Sequence, residues 1–145
     1  MGKNIEKLHK HQEPEIKEGP EKWNEKFGGN KMLIATPLII DKLVKTIPEG
    51  TLVDMEELRS MPAEDYKADY TCPLTTGIFL NIVARAAEEY REEGAKDISP
   101  YWRVIKNDRT LNEKFPGGME GHAALLQKEG FTIIPKGKNK LMVKD

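Results

Sequence analysis

Between Pro73 and Gly94 the chain carries an apolar period that leaves little choice of local structure. Ile78, Phe79, Ile82, Val83, Ala86 and Ala87 recur at i, i+1, i+4, i+5, i+8 and i+9, the spacing of one face of an amphipathic helix. Pro73 suits the first helical position, with Thr71 or Cys72 as its cap, and Gly94 supplies the stop. The opposite face then holds Thr75, Thr76, Asn81, Arg85, Glu88 and Glu89.

Shorter signals flank this helix. Met32-Leu33-Ile34 is an apolar run. Pro37 opens a helix with Leu38, Ile39, Leu43, Val44 and Ile47 on one face, closed by Pro48-Glu49-Gly50. Thr51–Val53 reads as extended. Asp54 then caps a helix with Glu57 three residues on, the pattern of a capping box. Leu58 and Met61 supply its buried side, and Pro62 is expected to limit its length. Two helices, the second with small polar residues at its start, are compatible with a helix-turn-helix, although the connection Ala63–Thr71 exceeds the usual tight turn. Downstream, Arg103–Lys106 and Thr110–Leu111 read as a hairpin turning at Asn107-Asp108. Gly117-Gly118 leads into a helix through Ala123, Leu125 and Leu126, ended by Gly130. Phe131–Ile134 and Leu141–Val143 flank the segment from Pro135 to Lys140, a terminal hairpin with a basic tip and a wing by position.

Residues 1–30 are expected to form a charged, partly disordered N-terminal tail. Trp23 and Phe27, one helical turn apart, could dock it onto a domain spanning 31–145. His9 and His11 lie in this charged segment and read as incidental rather than metal-ligating. The full 145 residues carry a formal net charge of −1, with 38% hydrophobic and 32% charged residues, the balance of one globular domain with a tail. No run reaches the roughly 18 apolar residues of a membrane span, and no apolar signal-peptide core opens the chain. A single cysteine, Cys72, leaves no internal disulfide, so a reducing cytoplasm is the expected compartment. Charge is uneven: residues 98–145 hold nine cations and five anions, net +4. That permits a phosphate-facing surface without requiring one.

The stretch Ser99-Pro100-Tyr101-Trp102-Arg103-Val104-Ile105, followed by Gly117-Gly118 and by Leu125-Leu126-Gln127-Lys128-Glu129-Gly130, resembles the C-terminal domain of the alkylguanine–DNA alkyltransferases. Pro48-x-Gly50-x-x-Val53, Glu57-Leu58 and Gly77 fit the same pattern, so the resemblance spans roughly residues 38–130. It implies a mainly α fold with small β hairpins, a winged helix-turn-helix domain. The departures concern chemistry. The family's nucleophilic cysteine falls at Tyr101 and the histidine after it at Trp102. The tyrosine that helps rotate the lesion's phosphate falls at Met55, the arginine that fills the gap left by the flipped base at Leu74, and the asparagine hinge near Glu93. A phenol with pKa near 10 and no adjacent base is a poor alkyl acceptor. A branch of the family that lacks the cysteine, the alkyltransferase-like proteins, binds alkylated DNA without repairing it and passes the lesion to other repair pathways.

The expectation is therefore a non-enzymatic DNA-binding protein linked to DNA repair. No cofactor, metal or membrane partner is expected, and the partner is double-stranded DNA, weakly bound. The alternative is a protein-interaction module built on a former DNA-binding fold. Thr75, Thr76, Asn81 and Arg85 would face a groove, or form a solvated helix face where Glu88, Glu89, Glu92 and Glu93 repel phosphates. Met55, Leu74, Tyr101 and Trp102 are candidates for a base pocket, the two aromatics stacking on a base for ~1–3 kcal/mol each or belonging to the core. Arg103 would bind phosphate or clamp loops. Lys136, Lys138 and Lys140 would form a phosphate rail or merely keep a turn soluble.

Overall fold

The computed structural model describes residues 2–145. The amphipathic segment forms the longest helix, α5 (Pro73–Glu92), which supplies much of the main core. In chain order they are α1 (Lys3–His9), β1 (Glu15–Glu18), α2 (Glu21–Phe27), β2 (Lys31–Ile34), α3 (Pro37–Lys45), β3 (Val53–Asp54), α4 (Met55–Asp65) and β4 (Tyr70–Thr71). After α5 come a 3-10 turn at Tyr101–Arg103, β5 (Val104–Ile105), α6 (Gly118–Lys128), β6 (Ile133–Lys136) and β7 (Lys140–Val143). The fold is mixed α and β and mainly helical. Its sheets are small: antiparallel β1–β2 extended by parallel β4, a parallel β3–β5 pair, and an antiparallel β6–β7 hairpin.

Local chemistry accounts for most boundaries. Thr36 caps α3, its Oγ1 accepting from the Ile39 amide at 3.2 Å, with Pro37 at the first position. Asp54 and Glu57 form the reciprocal capping box that starts α4. α5 gives way to Gly94, whose φ of +96° is the left-handed conformation that glycine adopts without steric cost. Pro62 does not end α4. The helix runs on to Asp65, since a proline there forfeits one hydrogen bond but already holds helical φ.

The N-terminal region departs from the expected tail. Ile5 and Leu8 of α1 are fully or nearly fully buried in the main core. The Glu89 carboxylate of α5 accepts from the Asn4 and Ile5 amides, each at 2.9 Å, and from Asn4 Nδ2 at 2.6 Å. Glu89 thus caps α1, which has no side-chain cap of its own. Burial opposes its charge, but these hydrogen bonds and Lys7 outweigh that and hold the carboxyl below its ordinary pKa. Residue 30 is no structural break either, because β1 and β2 on either side of it share one sheet. Trp23 and Phe27 of α2 do dock: they pack against Met32, Tyr70 and Cys72, with Phe27 stacked on Tyr70 at 5.0 Å.

The expected hairpin around Asn107-Asp108 is only half formed. Its turn closes through the Arg109 amide on the Lys106 carbonyl at 2.9 Å, but Val104–Ile105 pair with β3 and Thr110 bridges to Met142. A second cluster, Ile105, Leu111, Ala123, Leu126 and Val143, binds α6 to the C-terminal hairpin, and Trp102 packs against both this cluster and the main core.

Candidate functional site

The phase of α5 decides which side chains meet solvent. Its buried residues are Thr76, Leu80, Val83, Ala84, Ala86 and Ala87, so the buried stripe is rotated from the one read off apolar spacing. Thr76 is 0% exposed, its hydroxyl donating to the Cys72 carbonyl at 2.7 Å. A threonine bonded back to the preceding turn leaves no orphaned polar group and can be buried. Thr76 is thereby removed from any groove-facing surface. Thr75, half-buried, lies 3.5 Å from the same carbonyl. Ile78, expected inside, is 49% exposed, and Leu74 one turn earlier is 63% exposed. Asn81 and Arg85 continue that outer stripe.

Beside this stripe lies a cleft of about 300 Å³. Met55 at the start of α4, Leu74, Gly77, Ile78 and Asn81 of α5, and Lys106, Asn112, Glu113 and Lys114 line it. Asn81 Oδ1 is buried without a hydrogen-bond partner. Lys106 Nζ donates to Glu113 at 2.8 Å, and the turn after Lys106 connects the cleft to the C-terminal hairpin. There Asp108 accepts from the Thr110 amide and hydroxyl and pairs with Lys136 at 3.3 Å. The Thr110 hydrogen bonds, with Lys136 behind them, hold the Asp108 carboxyl far below its ordinary pKa. Lys138 and Lys140 are exposed at the hairpin tip and on β7.

The four base-pocket candidates do not assemble. Met55 and Leu74 share the cleft. Tyr101 is 1% exposed in the core, edge-on to Trp102 and Phe115 with ring centroids 5.3 and 5.0 Å away. Its hydroxyl donates to Glu88 at 2.7 Å, and burial together with that carboxylate raises the phenol's pKa well above normal. Tyr101 therefore floors no open pocket. Trp102 is half-buried beside a different cleft, with Lys45, Lys96 and Arg103.

Arg103 is the loop clamp, not a free phosphate ligand. Its Nε and Nη2 engage Glu129 at 3.0 and 2.9 Å, and Nη1 donates to the Ile47 carbonyl at 2.7 Å. Glu129 also accepts from Trp102 Nε1 at 2.6 Å and the Gly50 amide at 3.1 Å. Burial pushes its carboxyl toward the neutral form, but Arg103, Trp102 and Gly50 prevail and keep the pKa lowered. One carboxylate at the end of α6 thus fastens two other segments, the turn at Gly50 and the Trp102-Arg103 pair. Its only sequence signal is the Glu-Gly pair that ends the helix.

His122 is also internal, at 0% exposure. Its Nδ1 accepts from the Asn112 amide at 3.1 Å, so Nε2 carries the proton donated to the Trp102 carbonyl at 2.7 Å. Burial pushes its pKa down to about 4, against the opposing effect of the Trp102 carbonyl. Among the described residues no group of three or more His, Cys, Asp or Glu is placed to hold a metal ion, and no helix is long and apolar enough to cross a membrane. Comparison with protein-family models, curated proteins and solved structures gives no match to this chain.

Proposed function

We propose that this chain is a non-enzymatic protein that binds double-stranded DNA weakly, using α4 and α5 as a helix-turn-helix pair and the β6–β7 hairpin as a wing, in the manner of the alkyltransferase-like proteins of DNA repair. The observation that carries the reading is the outer stripe of α5. Half-buried Gly77 and Asn81 line a cleft together with Lys106 and Lys114, Arg85 is exposed one turn beyond Asn81, and the Asp108 turn joins the cleft to the lysine-bearing hairpin. Two of the four glutamates that oppose phosphate are engaged within the fold: Glu88 accepts from Tyr101 and pairs with Arg91, and Glu89 caps α1.

The state of Tyr101, His122 and Cys72 supports the reading without alkyl transfer. The Tyr101 phenol is buried, bonded to a carboxylate and hard to ionise. Both nitrogens of His122 are spent on backbone groups. Cys72 is 4% exposed within an apolar cluster, and a thiol in such a setting is inert. A second reading, a protein-docking module, is favoured by the exposed pair Leu74 and Ile78.

Fluorescence anisotropy with duplexes that do or do not contain an alkylated guanine, over a salt series, tests the reading. Each phosphate contact contributes a slope of about 0.9 in log K against log salt, so few contacts give a shallow dependence. Binding should show no strong preference for the alkylated base. Replacing Lys136, Lys138 and Lys140 with glutamine should weaken all duplexes alike and flatten the slope. Ile78→Glu should weaken binding more sharply, because it puts an anion on the outer stripe. Undetectable binding at low salt, or both variants binding like the parent, transfers the assignment to the protein-docking reading.

A further inference from the structure

We propose that the cleft between α2, α4 and β4 binds a free α-amino acid, with its carboxylate on Arg59, its ammonium group on Glu56 or Glu64, and its apolar side chain against Phe27 and Tyr70. The site shares no lining residue with the cleft beside α5, so the inference stands apart from the DNA-binding reading.

The cleft has a volume of about 300 Å³, at the lower end of the roughly 300–1,000 Å³ of small-molecule sites. Much of its lining is apolar: Ala63 and Tyr70 are 5% and 6% exposed, and half-buried Phe27 stacks on Tyr70. Hydrogen bonds between elements hold the walls in place. Thr71 donates to the Arg59 carbonyl at 2.7 Å, the Tyr70 hydroxyl donates to Asn24 at 2.9 Å, and Asp69 accepts from the Lys31 amide at 2.9 Å. Walls fixed in this way need little ordering when a ligand enters.

Arg59 is the group that the fold leaves without a partner. Arg91, Arg103 and Arg109 each have a carboxylate, and Arg85 is exposed to water. Arg59 is half-buried in the cleft, and among the described residues its guanidinium has no ion pair and no hydrogen bond; it lies over the Phe27 ring at 5.7 Å. Burial pushes its pKa below the ordinary value against the pull of Glu56 and Asp54, as expected of a guanidinium short of a counter-ion. Its planar fork of N–H donors matches a carboxylate.

A carboxylate alone does not suit the surroundings. Glu56, Glu64 and Asp69 also line the cleft, and Asp69 already holds the Lys31 amide. Glu56, Arg59, Ser60, Ala63 and Glu64 share one face of α4 at three- and four-residue spacing. The guanidinium is thus flanked along the helix by two glutamates, neither of them paired among the described residues. Three anions against one cation oppose a simple acid, and the unpaired Arg59 opposes a simple amine. A ligand with both charges a few bonds apart and an apolar body answers every group in the cleft, and that is the chemistry of an α-amino acid.

The test titrates the full, isotope-labelled chain with L-leucine, L-phenylalanine, N-acetyl-L-phenylalanine, which lacks the ammonium charge, and L-phenylalanine amide, which lacks the carboxylate. Backbone amide shifts report both affinity and place. Both amino acids should give saturable shifts around Arg59, Ser60 and Tyr70 and leave Ile78 and Asn81 unmoved. The two blocked compounds should bind roughly tenfold or more weakly, the worth of one charge-assisted hydrogen bond. Arg59→Gln and the double variant Glu56→Gln/Glu64→Gln should each weaken phenylalanine by a similar factor, and thermal melts establish that they fold. The blocked compounds decide the matter on the parent chain alone if a variant does not fold. No saturable shift with either amino acid, shifts centred elsewhere, or folded variants that bind like the parent overturn the site. N-acetyl-L-phenylalanine binding as tightly as phenylalanine makes it a site for simple acids, the amide binding as tightly makes it a site for cations, and either result overturns the proposal.

Discussion

The stability of this protein should fall between pH 6.5 and about 5 because of a single side chain, His122. In the folded chain its imidazole is fully buried between Trp102 and Asn112 and resists protonation until about pH 4, against 6.5 for the free side chain. Below pH 6.5 the unfolded chain takes up a proton that the folded chain refuses, so acid favours unfolding. Each pH unit in that interval is worth at most 1.36 kcal/mol. From pH 6.5 to about 5 the loss should therefore approach 2 kcal/mol, rising to roughly 3 by about pH 4. Glu89, Asp108, Glu113 and Glu129, whose carboxyls are all held below their ordinary pKa, lose their contribution only at lower pH and leave the upper part of the window clear. Urea unfolding followed by tryptophan fluorescence at about pH 7, 6 and 5 measures the slope, with His122→Asn as the comparison. The variant starts less stable, having changed a buried hydrogen-bonded group, but its stability should be nearly flat in this interval. A parent that keeps its full stability at pH 5, or a variant with the parent's slope, refutes the argument.

Glu129→Ala should cost about 3–5 kcal/mol, because it leaves the largely buried Arg103 guanidinium and the Trp102 N–H without their acceptor. That corresponds to a melting temperature lower by about 10 °C or more, and a parent-like melt would show the cluster to be unimportant. Deleting residues 1–10 removes Ile5 and Leu8 from the core at about 1.5–3 kcal/mol each and strips Glu89 of its donors; a truncated chain that melts like the parent would show that α1 does not dock. Incubation with a duplex containing methylated guanine should leave the intact protein mass unchanged, and a stoichiometric gain that persists in Cys72→Ser would contradict the absence of alkyl transfer.

What the sequence determined by itself lies within a few residues of its cause. Pro73 and Gly94 mark the ends of α5, Asp54 with Glu57 starts α4, and the basic tip between Ile134 and Leu141 turns the last hairpin. Caps and turns are satisfied by groups three or four positions away, so a linear reading contains both partners. Which side of α5 faces inward was not fixed in this way. The apolar period allowed Ile78 to be inside and Thr76 outside, and the packing against α1 and α3 together with the Cys72 carbonyl reversed them. The same holds for the site. Leu74 and Met55 come together while Tyr101 and Trp102 go elsewhere, because Glu88 and Glu129 bind the two aromatics from 13 and 27 positions away in the chain. The N-terminus gave the largest difference: its charged composition reads as a solvated tail, yet Glu89, 85 positions beyond Asn4, caps its helix and the core takes Ile5 and Leu8. Partners at that separation are chosen by how the assembled elements exclude water and pair buried polar groups, and that requirement exists only once the chain has folded.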